Sequence, residues 1–130
     1  MYLNCHTYYS LHFGTFSEIE LLQLALENDI NAIALTDINN TSACLNFVQQ
    51  SQKFNIKPVV GVDFRNGNSQ QFVAIAKSNK GFQNINSYLS NFLISKELIP
   101  DRPIFLEDVY IIYPFEKALE LHLTLSLIHI

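Results

Sequence analysis

Residues 30 to 38 read INAIALTDI, in which Ile33, Ala34 and Leu35 form an unbroken apolar run shortly before a carboxylate, Asp37. Such a run is typical of a parallel strand covered on both faces, because its polar alternation is lost. Two similar places flank it: His6 follows a short apolar run, and Asp63 ends the run that begins at residue 58. Parallel strands bring their carboxyl ends to one rim of a sheet. We therefore expect His6, Asp37 and Asp63 to share a site.

The segments around these runs alternate between strand and helix patterns. Ser17 and Glu20 have the spacing of a capping box, which predicts a helix start. A second helix is expected to be capped by Asn40 or Thr41. The predicted helices are 17–28, 41–54 and 80–92, and the predicted strands are 2–5, 30–36, 58–62, 72–76 and 109–113. Successive strand-helix-strand steps with short connections predict an α/β fold with a parallel sheet.

Composition predicts one compact domain. The chain has 130 residues, 48% hydrophobic, with 8 basic residues against 12 acidic ones. Because the basic residues are few and scattered, this segment is not expected to grip a nucleic-acid backbone by itself. Cys5 and Cys44 lack paired spacing, and no apolar stretch approaches membrane-spanning length. We expect a cytoplasmic, soluble protein with no membrane partner.

Several kinds of catalytic site find no support in the sequence. Gly14 stands alone after the first strand, so a dinucleotide-binding glycine-rich turn is not expected. No phosphate-binding P-loop and no serine or cysteine nucleophile arrangement stands out. A metal-dependent hydrolase needs several converging ligands. His6, Asp37 and Asp63 are suitable, but Asn4 and Ile38 stand where further ligands would be wanted.

Each candidate ligand also has a structural alternative. Asp37 could hydrogen-bond the following loop or cap the next helix. Asp63 could be a solvated carboxylate at a strand end, and His6 could bond to a neighbouring loop. Spacing alone does not establish an enzymatic role for these three residues.

Four segments together resemble a known family. They are residues 5–14 (CHTYYSLHFG), 34–37 (ALTD), 56–63 (IKPVVGVD) and 76–84 (AKSNKGFQN). Their order and spacing are similar to the start of bacterial DNA polymerase III alpha subunits, the polymerase and histidinol phosphatase (PHP) domain. The resemblance covers roughly residues 1 to 115. It implies part of a distorted β/α barrel whose rim, in many members, carries a cluster of metal ions.

The resemblance also implies which ligands this chain has lost. Two family histidines fall on Asn4 and His6, a family Asp-His pair falls on Asp37 and Ile38, and a family glutamate falls on Asp63. His6, Asp37 and Asp63 would then be the vestige of a metal site, with Asn4 and Ile38 as degenerate ligand positions and no catalytic residue in this chain. No cofactor is firmly expected; a remaining divalent ion would be zinc or manganese, and magnesium would serve the intact polymerase.

We therefore expect an amino-terminal fragment, with a partial PHP domain at 1–118 and a tail of uncertain origin at 119–130. The fragment would act in DNA replication as scaffold and docking module, for the rest of the polymerase chain and for a proofreading exonuclease or other replisome proteins. DNA would be reached only through the intact parent, a DNA-directed DNA polymerase whose nucleotidyltransferase residues lie elsewhere. The alternatives are a metal-dependent, histidinol-phosphatase-like phosphoesterase that uses His6, Asp37 and Asp63, and an unrelated small α/β binding module.

Overall fold

The computed structural model describes residues 2–10, 14 and 16–115. The predicted tail at 119–130 lies outside these residues. The strands are β1 (Tyr2–Cys5), β2 (Ala32–Ile38), β3 (Lys57–Asn66), β4 (Ser69–Ala76) and β5 (Val109–Ile112), and the helices are α1 (Glu18–Glu27), α2 (Cys44–Phe54) and α3 (Asn79–Ser95). The strands form one sheet in the order β1-β2-β3-β4-β5, curled into a half-barrel. The expected α/β class is confirmed.

The parallel part of the sheet is formed by β1, β2 and β3. The apolar run of β2 is buried from Ile33 to Asp37, as a strand covered on both faces should be. Its Ile33 and Leu35 pack with Leu22 of α1 and Phe47 of α2 in a buried cluster. The two crossover helices therefore lie on the same face of the sheet.

The far half of the sheet is antiparallel, which corrects the wholly parallel sheet that we expected. β3 and β4 form a hairpin through a turn at Gly67, whose φ is +60°, and β5 also pairs antiparallel with β4. The predicted third strand ends at residue 62, whereas β3 continues to Asn66. The prediction is too short because the residues around the hairpin turn are polar. A hairpin needs no crossover helix, so the strand-helix-strand rule does not apply there.

Helix α1 starts as predicted, whereas α2 does not. Ser17 Oγ accepts a hydrogen bond from the Glu20 amide at 3.2 Å, and Asn28 ends α1. In contrast, α2 begins at Cys44 after Ala43, which makes no side-chain capping bond. Asn40 instead bonds within the preceding loop, where its Oδ1 accepts from the Ser42 amide. The predicted capping by Asn40 or Thr41 is therefore wrong.

The two faces of the sheet differ in what covers them. Val62, Phe64 and Phe72 pack under α3 with Ile85 and Leu89 in a second buried cluster. The opposite, concave face carries a small apolar group: Ala34, Val73 and Ile75, with the half-buried Leu3, Val59 and Ile112 packed against them. Within the described ranges, no helix combines the length and apolar character needed to span a bilayer.

Candidate functional site: a hydrogen-bonded rim

The Asp37 carboxylate, 2% exposed, ties the loop after β1 to the end of β2. Its Oδ1 accepts from the Thr7 amide at 2.6 Å and from Ser10 Oγ at 2.7 Å, and its Oδ2 accepts from Thr7 Oγ1 at 2.7 Å. Ser10 Oγ in turn accepts from the Ile38 amide at 2.8 Å. Asp37 thus bonds to the loop after β1, and not to the following loop or the next helix, which were the alternatives that we considered.

The Asp63 carboxylate is the centre of a second cluster. It is fully buried, and its Oδ2 accepts from His6 Nε2 at 3.0 Å and from Arg65 Nε and Nη2 at 3.1 and 3.0 Å. Its Oδ1 accepts from Gln70 Nε2 at 3.1 Å. The His6 and Arg65 side chains are only 14% and 13% exposed, so the group is shielded from solvent.

Two opposing effects act on the charge of Asp63. Burial by itself raises the pKa of a carboxyl group. Hydrogen bonds from His6, Arg65 and Gln70, together with the positive charge of Arg65, more than offset burial and hold the pKa of Asp63 below its ordinary value. Asp63 is therefore held as an anion by its neighbours.

Strand register separates Asp37 from Asp63. Ile38, not Asp37, lies opposite Asp63 in the β2–β3 pair. Because successive side chains of a strand alternate between faces, Asp37 points away from the face that carries Asp63. Burial raises the pKa of Cys44 on α2, and the charge of Asp37 raises it further. The Asp37 side chain therefore lies on the helix side of the sheet. The structure thus brings His6 and Asp63 together, whereas Asp37 lies in a separate cluster.

The two positions that the resemblance gave as degenerate lie on the concave side. Asn4 Oδ1 accepts from Thr36 Oγ1 at 2.7 Å, which joins β1 to β2. Ile38 is half-buried at the end of β2. The amide of Asn4 is thus engaged within the sheet, and the isoleucine has no atom that could bind a metal ion.

Comparison with known proteins identifies the family. The sequence model of the PHP domain matches residues 3–124, which is nearly the whole chain. The chain belongs to the PHP domain family. The resemblance stated from the four segments is confirmed.

Curated relatives of this PHP domain are DNA polymerase III alpha subunits. The chain is 35% identical over 95 residues to DNA polymerase III subunit alpha of Ureaplasma parvum, an alignment that covers 73% of this chain and 10% of that protein. It is 37% identical over 91 residues to the same subunit of Mycoplasma genitalium, covering 66% and 10%. The chain therefore spans about a tenth of the length of these relatives.

Solved structures support the barrel-like architecture. A protein described as a metal-dependent phosphoesterase, from Bifidobacterium adolescentis, aligns with a TM-score of 0.54 at 18% identity, covering 69% of this chain and 32% of that one. An amidohydrolase from Chromobacterium violaceum, with bound sulfate and no metal, aligns with a TM-score of 0.56 at 18% identity, covering 72% and 33%. At this identity, the likeness shows the fold alone.

The donor set of the rim does not fit the metal cluster that the family implies. Among residues 2–10, 14 and 16–115, no group of three histidine, cysteine or acidic side chains is placed to hold an ion. The Asp63 oxygens face four donor nitrogens, two of them on a guanidinium. A metal ion at Oδ2 would have to displace the three donors that already contact this oxygen, from His6 and Arg65. The positive charge beside Asp63 is thus already supplied by the protein.

Sequence reasoning missed Thr7, Asn39, Arg65 and Gln70. Arg65 lies two residues beyond Asp63, so strand alternation carried past residue 62 would have placed both on one face. Gln70 needs a β-bulge: the register shifts after the Phe64–Phe72 pair, so that Arg65 lies opposite Gln70. No sequence pattern predicts that bulge. Ser10, which also donates to Asp37, was likewise not assigned this role from the sequence.

A groove of about 750 Å³ lies at the other end of the sheet, away from the rim. It is lined by residues near the start of β3, the end of β4 and the start of β5, among them Val59, Ile75 and Tyr110, and by residues of α2 and α3, among them Val48 and Phe82. None of the hydrogen-bonded rim side chains lines it. Its position does not support a catalytic role for His6 or Asp63.

Proposed function

We propose that this PHP domain is a non-catalytic structural module of a DNA polymerase III alpha chain, with a rim held together by its own side chains. The observation that carries the proposal is the engagement of both rim carboxylates. Asp37 accepts three hydrogen bonds from the loop after β1, and Asp63 accepts four contacts from His6, Arg65 and Gln70. Both carboxylates are therefore bound by the protein's own donors.

Metal-dependent ester hydrolysis needs the opposite arrangement. A catalytic ion must keep an open coordination position for water or substrate, and the protein must present several unoccupied ligand atoms to hold it. In this rim, Ile38 offers no donor atom, and the Asn4 amide oxygen accepts from Thr36. These contacts stabilise the junction of β1, β2 and β3 instead of preparing a metal site.

The partner that we propose is the rest of a polymerase chain. Support comes from the relatives, of which the match covers a tenth, and from exposed apolar side chains in the last turn of α3 and in the segment that follows it. Ile94 and Leu98 are both 81% exposed, and Phe105 is 89% exposed. Large apolar side chains exposed to this degree are common where a further part of a protein packs. Docking of a proofreading exonuclease or another replisome protein remains a prediction.

The second candidate is a metal-dependent phosphoesterase. The observation in its favour is that His6 and Asp63, both at family ligand positions, meet on the rim at 3.0 Å. For a metal ion to bind there, Arg65 would have to leave Asp63, which would leave a guanidinium that is 13% exposed without this partner. The first candidate needs no such rearrangement.

Metal analysis combined with an activity assay separates the two. The 130-residue chain is purified without chelators, dialysed and analysed for zinc, manganese and iron, and then assayed for phosphate release from a model ester with each metal added. We expect metal well below one ion per chain and no turnover. Stoichiometric metal that survives dialysis, or turnover that Asp63→Asn abolishes, would refute the structural role.

A further inference from the structure

Arg65 supplies the guanidinium that contacts the buried carboxylate of Asp63. It follows Asp63 by two positions on β3, so both side chains lie on the same face of the strand. The bulge in β4 sets Gln70, instead of Gln71, opposite Arg65. As a result, the Arg65 guanidinium and the Gln70 amide both donate to the Asp63 carboxylate, at Oδ2 and Oδ1 respectively.

The backbone of Arg65 is fixed from the other side by Asn39. The Asn39 side-chain amide donates to the Arg65 carbonyl oxygen at 2.8 Å, and the Arg65 amide donates to Asn39 Oδ1 at 3.0 Å. The Asn39 backbone amide donates to the Asp63 carbonyl oxygen at 3.0 Å. This clamp positions the stem of Arg65 at the end of β2, where its head group reaches Asp63.

The charges of the pair then decide what the rim can hold. A buried carboxylate needs a cation or several donors, because its desolvation is otherwise too costly. Arginine stays protonated at every physiological pH, and its guanidinium is compact enough to place two N–H groups, Nε and Nη2, on one oxygen. Asp63 is fully buried and already neutralised by this group.

We propose that Arg65 is the built-in cation of the rim, which takes the place of a metal ion as the charge partner of Asp63. This proposal rests on the proposed structural role and goes beyond it, because it assigns the charge that stabilises the rim to one side chain. It predicts that Arg65 and Asp63 are thermodynamically coupled, and that the stability of the wild-type chain does not depend on divalent ions.

Thermal unfolding of the full 130-residue chain tests the coupling. The variants are Arg65→Met, Asp63→Asn and the double variant, with Arg102→Met as the control, since Arg102 is the chain's other arginine and is exposed. Arg65→Met leaves a buried carboxylate without its main cation, so we expect the melting temperature to fall by about 10 °C or more. Arg102→Met should change it by about 2 °C or less.

The double variant gives the decisive comparison. Once Asp63 is an amide, the buried charge that makes Arg65→Met costly is gone, so the double variant should melt at a higher temperature than Arg65→Met alone. If Arg65→Met does not fold, a double variant that folds supports the proposal. A double variant that does not fold, when Asp63→Asn alone does fold, overturns it. Additive losses, or an Arg65→Met variant as stable as the control, also overturn it.

Metal addition keeps this proposal separate from the proposed function. The wild-type melting temperature is measured after chelator treatment and again with millimolar zinc or manganese, and we expect no change. A large rise with metal would refute the structural role itself. Without such a rise, additive losses for Arg65→Met and Asp63→Asn would refute only the role of Arg65 and would leave the structural role standing.

Discussion

The Asp37 cluster gives the sharpest test of whether the rim is structural. Asp37→Ala removes an acceptor of three hydrogen bonds, from the Thr7 amide, the Thr7 hydroxyl and the Ser10 hydroxyl, at 2.6 to 2.7 Å. Hydrogen bonds to a carboxylate contribute about 1.5–3 kcal/mol each. A simple sum overstates the loss, because the two hydroxyl groups can turn toward other acceptors. The Thr7 amide has no such freedom, so we expect Asp37→Ala to cost about 3–4 kcal/mol.

Asp37→Asn keeps the shape of the side chain and most of its bonds. The amide oxygen can take the place of Oδ1, where it still accepts from the Thr7 amide and from Ser10 Oγ. The amide nitrogen then faces Thr7 Oγ1, a hydroxyl oxygen that can accept as well as donate. We expect this variant to cost about 1 kcal/mol, a small part of the loss in Asp37→Ala.

Urea unfolding of the three proteins measures the ranking. With the usual m-values of about 1–3 kcal/mol per molar urea, Asp37→Ala should shift the midpoint by about 1 M or more, and Asp37→Asn by much less. Equal losses for both variants would show that the negative charge, not the hydrogen-bond pattern, is what the rim needs. A loss below about 1 kcal/mol in Asp37→Ala would refute the structural account of this residue.

Three further outcomes follow from other parts of the fold. Gly61→Ala should cost about 3 kcal/mol or more in urea unfolding, because its Cβ would lie 2.0 Å from the Ala74 carbonyl oxygen; Gly67→Asn, where nothing lies within 4 Å, is the mild control. Burial, together with the nearby charge of Asp37, raises the pKa of Cys44 to about 12. Cys44 should therefore react with thiol reagents at about pH 8 at least a hundredfold more slowly than in the unfolded chain. Rapid labelling would contradict its burial. Folding lowers the pKa of Asp63, so its contribution to stability is complete above the ordinary value of 3.8 and is lost as the pH falls through the folded pKa. Acid unfolding followed by circular dichroism should therefore depend less steeply on pH in Asp63→Asn than in the wild type.

The parallel half of the fold could be predicted from sequence because its signals are strong. An apolar run that stops at Asp37 marks a buried strand, and the capping box at Ser17 marks a helix start. The hairpin half could not be predicted in the same way. Polar residues from Arg65 to Gln70 continue both strands beyond their apolar parts, and the bulge that aims Gln70 at Asp63 follows from packing between strands.

The sequence predicted where the candidate site lies, but not which of its side chains bond to one another. His6 after β1, Asp37 near the end of β2 and Asp63 within β3 do lie along one rim, but the face on which each side chain points depends on register. A shift of one residue moves a side chain to the other face of a sheet. The sequence contains no local signal for the pairing of Ile38 with Asp63, so it could not show that Asp37 would bond the loop behind the sheet.

That register also places Ile38 and Arg65 beside the same carboxylate. Ile38, the position for which the resemblance implied a histidine in the family, is the residue opposite Asp63, on the same face. The position that would have presented an imidazole to this carboxylate is therefore apolar here. A buried carboxylate that loses both a ligand neighbour and a metal ion would be an uncompensated charge, which costs several kcal/mol. Arg65, two residues along the same face, supplies the positive charge that removes that cost in this chain.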